Sequence, residues 1–209
     1  MALFGAGGHA KVVIDLVEKQ QQLPIAFLAD DDAKLWGQPF YGYPVIGGKS
    51  ALLSQWRDHP AFTCLVTVGS NPIRARLAAW LQSEGIAVAA ACAHPSAQVA
   101  RGVVIDQGTV LMALTAINAD SVIGRHVIVN TGASVDHDCV IGDAVHLAPG
   151  VRLCGGVTVG ECTLIGVGAV VLPNIRIGSN VTVGAGATVI ENVPDGATVV
   201  GTPARRVLP

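Results

Sequence analysis

The residues best suited to acid–base chemistry are clustered in one short segment. Asp136, His137 and Asp138 are consecutive, and His146 follows a short distance along the chain. A histidine beside a carboxylate can act as a general base, because the carboxylate fixes the ring tautomer and stabilises the imidazolium. At this point either aspartate could hold the ring. The alternative is a solvated surface patch, which is less expected in a segment that otherwise avoids charge.

A second candidate site is the glycine-rich segment Gly5–Ala10, between a predicted strand and a predicted helix. Glycines allow the backbone to approach a phosphate, and a helix N-terminus offers free N–H groups. With Asp30 further along, the segment satisfies the pattern of an NAD site. A domain of about 94 residues is only about half of a dinucleotide fold, so one nucleotide fits better. Asp30 or Asp31 would then lie near the ribose or base, and Gly69 at the same sheet edge. A tight turn without a ligand is the alternative.

The elements that position the glycine segment are short strands that alternate with helices. We predict strands at 2–5, 25–29, 64–68 and 87–92, and helices at 9–21 and 72–81. This alternation predicts a small parallel sheet. All aromatic residues lie at or before Trp80, and all lysines lie at or before Lys49. This break in composition divides the chain into two predicted domains, 1–94 and 95–209.

The elements that position the His137 cluster follow a period of six residues. Every sixth position from 99 to 189 is Val, Ile or Leu, which is the pattern of a hexapeptide repeat and predicts a parallel β-helix. Each unit forms one side of a prism, and equivalent side chains stack about 4.8 Å apart in slightly more than five coils. His137 follows the inward Val135 by two residues, so it projects outward. We expect the glycines after the inward aliphatics to permit the corners: Gly124, Gly142, Gly160, Gly166, Gly178 and Gly184.

The composition excludes several classes of function. The 209 residues include 13 basic and 15 acidic ones, so there is no electrostatic footprint for nucleic acid. No apolar stretch approaches the ~18–20 residues of a membrane-spanning helix, and we expect no membrane insertion. Five cysteines without CxxC spacing argue against a disulfide framework and against a metal site. We therefore expect a cytoplasmic protein. Its low charged fraction, 13%, predicts that the fold either exposes uncharged surface or buries much of it in an oligomer.

From Gly5 to Arg206 the chain resembles the nucleotide-aminosugar N-acetyltransferases of the left-handed β-helix superfamily. The specific motifs are GAGGHAKVV from Gly5, INAD at Ile117–Asp120, NTGASVDHDCVIGD at Asn130–Asp143 and GTPAR at Gly201–Arg205. It looks most like the enzymes that acetylate the 4-amino group of UDP- or GDP-linked dideoxysugars in bacillosamine and perosamine pathways. The resemblance implies a Rossmann-like α/β domain followed by a left-handed parallel β-helix.

The resemblance also implies roles for particular residues. His137 matches the catalytic base, and Asp138 matches the carboxylate that raises its basicity. Around acetyl-CoA, between neighbouring subunits of a homotrimer, the matching positions are His146, Gly155, Val167 and Ala185. In the nucleotide-sugar pocket they are Gly7, Gly8, His9, Asp30, Asp31 and Gly69. The family pattern includes no metal.

The expected reaction is direct transfer of acetyl from acetyl-CoA to the 4-amino group, with His137 as the general base. No covalent nucleophile is evident, and the Gly155 N–H is a candidate donor to the oxyanion. One alternative is O-acetylation of a sialic or related nonulosonic acid, since those transferases share the same two-part plan. Another is a non-catalytic solenoid that binds a nucleotide. Asp30, Asp31 and the loop 36–44 are the candidates for distinguishing UDP from GDP.

Overall fold

The computed structural model describes residues 1–207, and its N-terminal part is a small α/β layer. Its sheet is parallel, in the order β2-β1-β5: β1 (Ala2–Phe4), β2 (Phe27–Ala29) and β5 (Cys64–Val66). Three helices and a hairpin flank it: α1 (Gly8–Gln20), α2 (Lys49–Asp58), α3 (Asn71–Ser83), β3 (Pro39–Phe40) and β4 (Tyr43–Pro44). A 3-10 turn covers Ala33–Leu35. The predicted parallel sheet is confirmed.

The prediction that residues 87–92 form a strand of the N-terminal sheet is wrong. Within residues 87–92, Val88 alone forms a bridge to the N-terminal sheet, at Cys64. The following strand, β6 (Cys92–Ala93), instead pairs with Val110 and Leu111 of the β-helix. Its position follows from the six-residue period, because Ala93 lies six residues before Val99 and takes the inward side of the first coil.

The C-terminal part is a parallel β-helix of three sheets. The first contains β7 (Gln98–Val99), β10 (Ala116–Ile117), β13 (Ser134–Val135), β16 (Arg152–Leu153), β19 (Val170–Val171) and β22 (Thr188–Val189). The second contains β8 (Val104–Ile105), β11 (Val122–Ile123), β14 (Val140–Ile141), β17 (Thr158–Val159) and β20 (Arg176–Ile177). The third contains β6, β9 (Val110–Leu111), β12 (Ile128–Val129), β15 (His146–Leu147), β18 (Leu164–Ile165), β21 (Thr182–Val183), β23 (Thr198–Val200) and the antiparallel β24 (Arg205–Val207). The third sheet extends beyond the predicted repeat at both ends, which gives about six coils.

The inward aliphatic residues form the predicted core. From Leu111 to Val189 each is at most 2% exposed, and each such burial stabilises the fold by about 1.5–3 kcal/mol. Val99 is 46% exposed, because β7 is an edge strand with a neighbour on one side only. Buried hydroxyls are paired within the same stack: Thr109 Oγ1 donates to the Gly124 carbonyl at 2.7 Å and accepts the Val127 N–H at 2.9 Å.

The corners correct one prediction. The left-handed backbone lies three residues after each inward aliphatic from Val99 to Val183, as at Asp120, His126 and Asp138, and not at the glycines that directly follow. Those glycines are needed because the next coil passes close to them. A Cβ at Gly142 would lie 2.8 Å from the Glu161 nitrogen, and the other predicted corner glycines are crowded in the same way.

Helix α1 joins the two parts. Its buried face, including Val13 and Val17, packs on the N-terminal sheet and on Val110 and Ile128 of the third β-helix sheet. The N-terminal part therefore covers the third side of the prism. No helix within residues 1–207 has the length and apolar character to cross a membrane.

Candidate active site

His137 and Asp138 form a paired side-chain site at a corner of the prism. The corner follows β13 and leads from the first sheet to the second. Asp138 has a φ of 57°, and its Oδ2 lies 2.7 Å from Nδ1 of His137. The side chains are 61% and 67% exposed. The other ring nitrogen, Nε2, is thereby left as the acceptor of a proton.

Asp136 forms other hydrogen bonds, so Asp138 is the aspartate that contacts the His137 ring. Its Oδ1 accepts hydrogen bonds from the Asn118 amide and from the His137 backbone N–H, both at 2.9 Å. These bonds lower the pKa of Asp136, in that order of effect. Asp136 thus stays ionised and orders the corner, while Asp138 contacts the ring.

The surroundings make His137 a stronger base than an ordinary histidine. The hydrogen bond that Nδ1 of His137 donates to Asp138, followed by the charge of Asp136, raises the pKa of His137. The carboxylate at Nδ1 also favours the tautomer with the proton on that nitrogen, since a carboxylate accepts and does not donate. Neutral His137 therefore presents a lone pair at Nε2 toward solvent.

Gly155 lies directly beside this ring, in the next coil. A Cβ at Gly155 would lie 2.6 Å from Cε1 and 2.7 Å from Nε2 of His137. Within the described chain, the Gly155 N–H has no hydrogen-bond acceptor. The sequence pointed to Gly155 by resemblance, and the coil spacing places it against Nε2. A free N–H next to a base is suited to stabilising a developing oxyanion.

A second group lies where the N-terminal part meets the third sheet. The rings of His9 and His146 have centroids 6.5 Å apart, and a Cβ at Gly69 would lie 3.9 Å from that of His9. Nε2 of His146 lies 3.1 Å from the Asn130 amide nitrogen, which can only donate, so Nε2 is the acceptor. Nε2 of His9 is buried and has no partner in the part of the chain that is described.

Both histidines of this group are neutral. Burial, followed by the charges of His146 and Arg74, lowers the pKa of His9 to about 4. Burial and then Arg74 lower the pKa of His146 to about 4. His9 and His146 were expected in different pockets, but the structure brings them together. They are polar, uncharged groups between the glycine segment and the β-helix.

The glycine segment is held open at the N-terminus of α1. Gly7 and Gly8 have no atom within 4 Å of an added Cβ, so their surface is free for a ligand. Asp30 accepts the Ala6 N–H through Oδ2 at 2.7 Å and the Asp32 N–H through Oδ1 at 2.8 Å. Both of its oxygens thus shape the loop, a role that no sequence pattern indicates.

Asp31 lines a cavity of about 450 Å³ at the start of α2. Trp36, Gly48 and Lys49 also line it, and the Trp36 indole donates to the Asp30 carbonyl at 2.7 Å. An aromatic ring, a carboxylate and an ammonium group around one cavity can hold a nucleoside. The sequence did not point to Lys49, because its only mark is its place at the start of α2, directly after Gly47 and Gly48.

Val167 and Ala185 lie elsewhere on the prism. Their corners lead from the third sheet to the first, whereas His137 and Gly155 lie between the first and second sheets. Val167 is 54% exposed. One chain therefore does not bring the predicted acetyl-CoA residues together. Within residues 1–207, no three His, Cys, Asp or Glu side chains are grouped as metal ligands.

Together, a β-helix with a histidine–carboxylate pair at one corner and an α/β layer with an open glycine segment define a hexapeptide acyltransferase. Residues 1–81 match the PglD N-terminal domain, and residues 156–191 match the bacterial transferase hexapeptide (six repeats). UDP-N-acetylbacillosamine N-acetyltransferase from Bacillus subtilis (strain 168) is 41% identical over 118 residues, which are 54% of this chain and 51% of that protein. The match thus spans about half of that relative.

Two solved structures are similar over almost their whole length. A single-site mutant of perosamine N-acetyltransferase from Caulobacter crescentus, in complex with CoA and GDP-perosamine, is 39% identical, with a TM-score of 0.93 over 100% of this chain and 96% of that one. The acetyltransferase domain of PglB from Neisseria gonorrhoeae FA1090, in complex with acetyl coenzyme A, is 39% identical, with a TM-score of 0.89 over 99% and 98%. The chain belongs to the nucleotide-aminosugar N-acetyltransferases of the hexapeptide superfamily. The predicted family and left-handed β-helix are confirmed.

Proposed function

We propose that this protein transfers the acetyl group of acetyl-CoA to the 4-amino group of a UDP- or GDP-linked 4-amino-4,6-dideoxysugar, a step of glycan biosynthesis. The observation that carries the proposal is the His137–Asp138 pair, with Nε2 open, in a chain similar throughout to an acetyltransferase described with CoA and GDP-perosamine. Five free cysteines support a cytoplasmic location, where thiols stay reduced.

In the proposed reaction the sugar amine attacks the thioester carbonyl carbon while Nε2 of His137 accepts the proton that the amine loses. Asp138 stabilises the imidazolium. The Gly155 N–H donates to the oxyanion, which collapses to the amide as the C–S bond breaks. The CoA thiolate leaves and takes up the proton from His137, so the histidine returns to its neutral form.

The N-terminal domain, residues 1–94 without the β-helix strand β6, binds the nucleotide sugar in this proposal. Gly7 and Gly8 present the N–H groups of the α1 N-terminus to the phosphates. Asp31 and its cavity hold the nucleoside, and His9 and Gly69 lie toward the sugar. Asp30 acts by fixing the loop, since its oxygens are engaged by backbone N–H groups. Residues 95–209 carry the acetyl-transfer site.

We further propose that the active site forms between subunits of a homotrimer. His9, Gly69 and His146 lie at the third sheet, and the corner with His137 is opposite that sheet in the triangular cross-section. A sugar bound at the third sheet thus requires the His137 of another subunit. Val167 and Ala185 of the neighbouring chain would then contact the acetyl-CoA bound between the two subunits. His146 belongs to the same composite site.

The decisive assay is release of free CoA thiol from acetyl-CoA, with wild type and His137→Ala compared on UDP- and GDP-linked 4-amino-4,6-dideoxysugars and on free sialic acid. We expect release with an aminosugar and a loss of about 10²–10⁴-fold in the variant, which is the usual contribution of a general base. Release with sialic acid alone would make the protein an O-acetyltransferase. Near-normal turnover by folded His137→Ala would exclude the assigned base.

A further inference from the structure

Within residues 1–207, Arg74 is a buried cation without an anionic partner. It lies on α3, is 1% exposed, and forms no ion pair with a carboxylate in the described residues. Burial lowers its pKa to about 10. An isolated buried charge is unfavourable unless its hydrogen bonds are satisfied. The guanidinium meets this requirement with uncharged acceptors only.

These acceptors belong to both domains. In the N-terminal domain, Nη1 donates to the carbonyls of Val68 and Gly69 at 3.1 and 3.0 Å. On the β-helix, Nε donates to the His126 carbonyl and Nη2 to the Ala144 carbonyl, both at 2.8 Å. One rigid, planar group therefore ties the loop after β5 to two successive coils.

Asn71 extends the connection to a third coil. Its Oδ1 accepts Nη2 of Arg74 at 2.8 Å, and its Nδ2 donates to the carbonyls of Cys162 and Thr163 at 3.1 and 3.0 Å. The Arg74–Asn71 pair is thus a hydrogen-bonded clamp along one corner of the prism, between the second and third sheets.

The clamp ends next to residues of the composite site. Gly69, whose carbonyl the clamp holds, lies beside His9, and Ala144 lies two residues before His146 at the start of β15. His9 and His146 face each other at 6.5 Å across the junction. The separation of these two rings depends on how the loop and the coil are held.

We propose that Arg74, supported by Asn71, is a positioning residue for acetyl transfer, which sets the Gly69–His9 side of the sugar site against His146. This inference rests on the proposed function. Arg74 acts through the groups that it holds and does not itself contact substrate. Lysine retains the charge but not the planar fork of donors, so Arg74→Lys is a sharp test.

The test compares Arg74→Lys and Asn71→Ala with wild type. The matched control is Arg125→Gln, because Arg125 is half-exposed and forms an ion pair with Asp143 along the same corner. We measure kcat and KM for the nucleotide sugar, KM for acetyl-CoA, and binding of UDP and GDP by calorimetry. Folding is checked by thermal unfolding followed by circular dichroism.

We expect Arg74→Lys to lower kcat/KM for the nucleotide sugar at least tenfold, and Asn71→Ala to lower it at least threefold. The KM for acetyl-CoA of both variants, and all kinetic constants of the Arg125→Gln control, should stay within twofold of wild type. If the clamp only stabilises the fold, the variants will have a lower melting temperature but unchanged kcat and KM in their folded form. That result would overturn the proposal. If Arg74→Lys does not fold, Asn71→Ala decides by the same criterion.

Failure of the proposed function has a separate signature. Wild type would then release no thiol with any aminosugar. In that case the positioning role of Arg74 and Asn71 is tested by nucleotide binding alone. Weaker binding of UDP or GDP by the folded variants than by wild type supports this role. Equal affinity in wild type and variants, or no binding of either nucleotide by wild type, contradicts it.

Discussion

At the scale of single residues, the pairing of Asp138 with His137 controls the pH at which the proposed base is available. The raised pKa means that His137 remains protonated, and inactive as a base, to a higher pH than an ordinary histidine. Activity should rise with pH through that pKa. Asp138→Asn keeps a side chain that tolerates the left-handed backbone at this corner.

We expect Asp138→Asn to move the acidic limb of the pH profile of kcat/KM to lower pH, because the carboxylate no longer stabilises the imidazolium. The plateau should fall by about 10²-fold, the lower end of a general-base contribution. Steady-state rates from pH 5 to 9 provide the measurement. An acidic limb at the same pH in both proteins would mean that another group limits the rate.

Gly155 allows a second prediction about the same ring. Its backbone is not in the left-handed region, so Gly155→Ala is compatible with the fold, but the added methyl occupies the place of the exposed His137 ring. We predict that the variant keeps its melting temperature within a few degrees, since an exposed ring can turn away, and loses at least tenfold in kcat. Unchanged kcat would show that the ring position is not critical.

At the scale of elements, close packing between coils makes a contrasting prediction. A Cβ at Gly142 would meet only backbone atoms of the next coil, and these cannot turn away. Gly142→Ala should therefore cost about 1–3 kcal/mol of unfolding free energy, the range for overpacked cores. Urea unfolding measures it. A midpoint equal to that of wild type would contradict the packing role assigned to this glycine.

Some features of the β-helix are predictable from the sequence alone, and others are not. The period of six predicts the inward aliphatic residues and the outward position of His137, because the same position of every six-residue unit must face the axis. It does not predict why Gly142 is a glycine, since the clash involves a coil 18 residues away. Arg74 gave no signal either, because its acceptors are backbone carbonyls, which every residue carries. The sequence pattern around Cys92 fits both the N-terminal sheet and the β-helix. Its pairing with Val110 in the structure shows that it belongs to the β-helix.

At the scale of the whole molecule, the proposed sugar site and the proposed base lie on opposite sides of one chain. A homotrimer with shared sites would bring them together, and this arrangement can be tested by subunit mixing. His137→Ala removes the base. Gly8→Asp places a carboxylate at the open N-terminus of α1, where it repels phosphate while favouring the helix dipole. Each variant alone should be folded and nearly inactive.

Trimers assembled from equal amounts of the two variants should regain activity. If each site takes His137 from one subunit and Gly8 from the next, random mixing leaves both intact in about a quarter of the sites. We therefore expect about a quarter of the wild-type rate after co-refolding or co-expression, and a trimer mass by analytical ultracentrifugation. If each site lay within a single chain, no mixture would contain an intact site, and activity would stay at the sum of the two variants. That outcome would overturn the shared site, and it would require the N-terminal domain to deliver the sugar around the prism of its own chain.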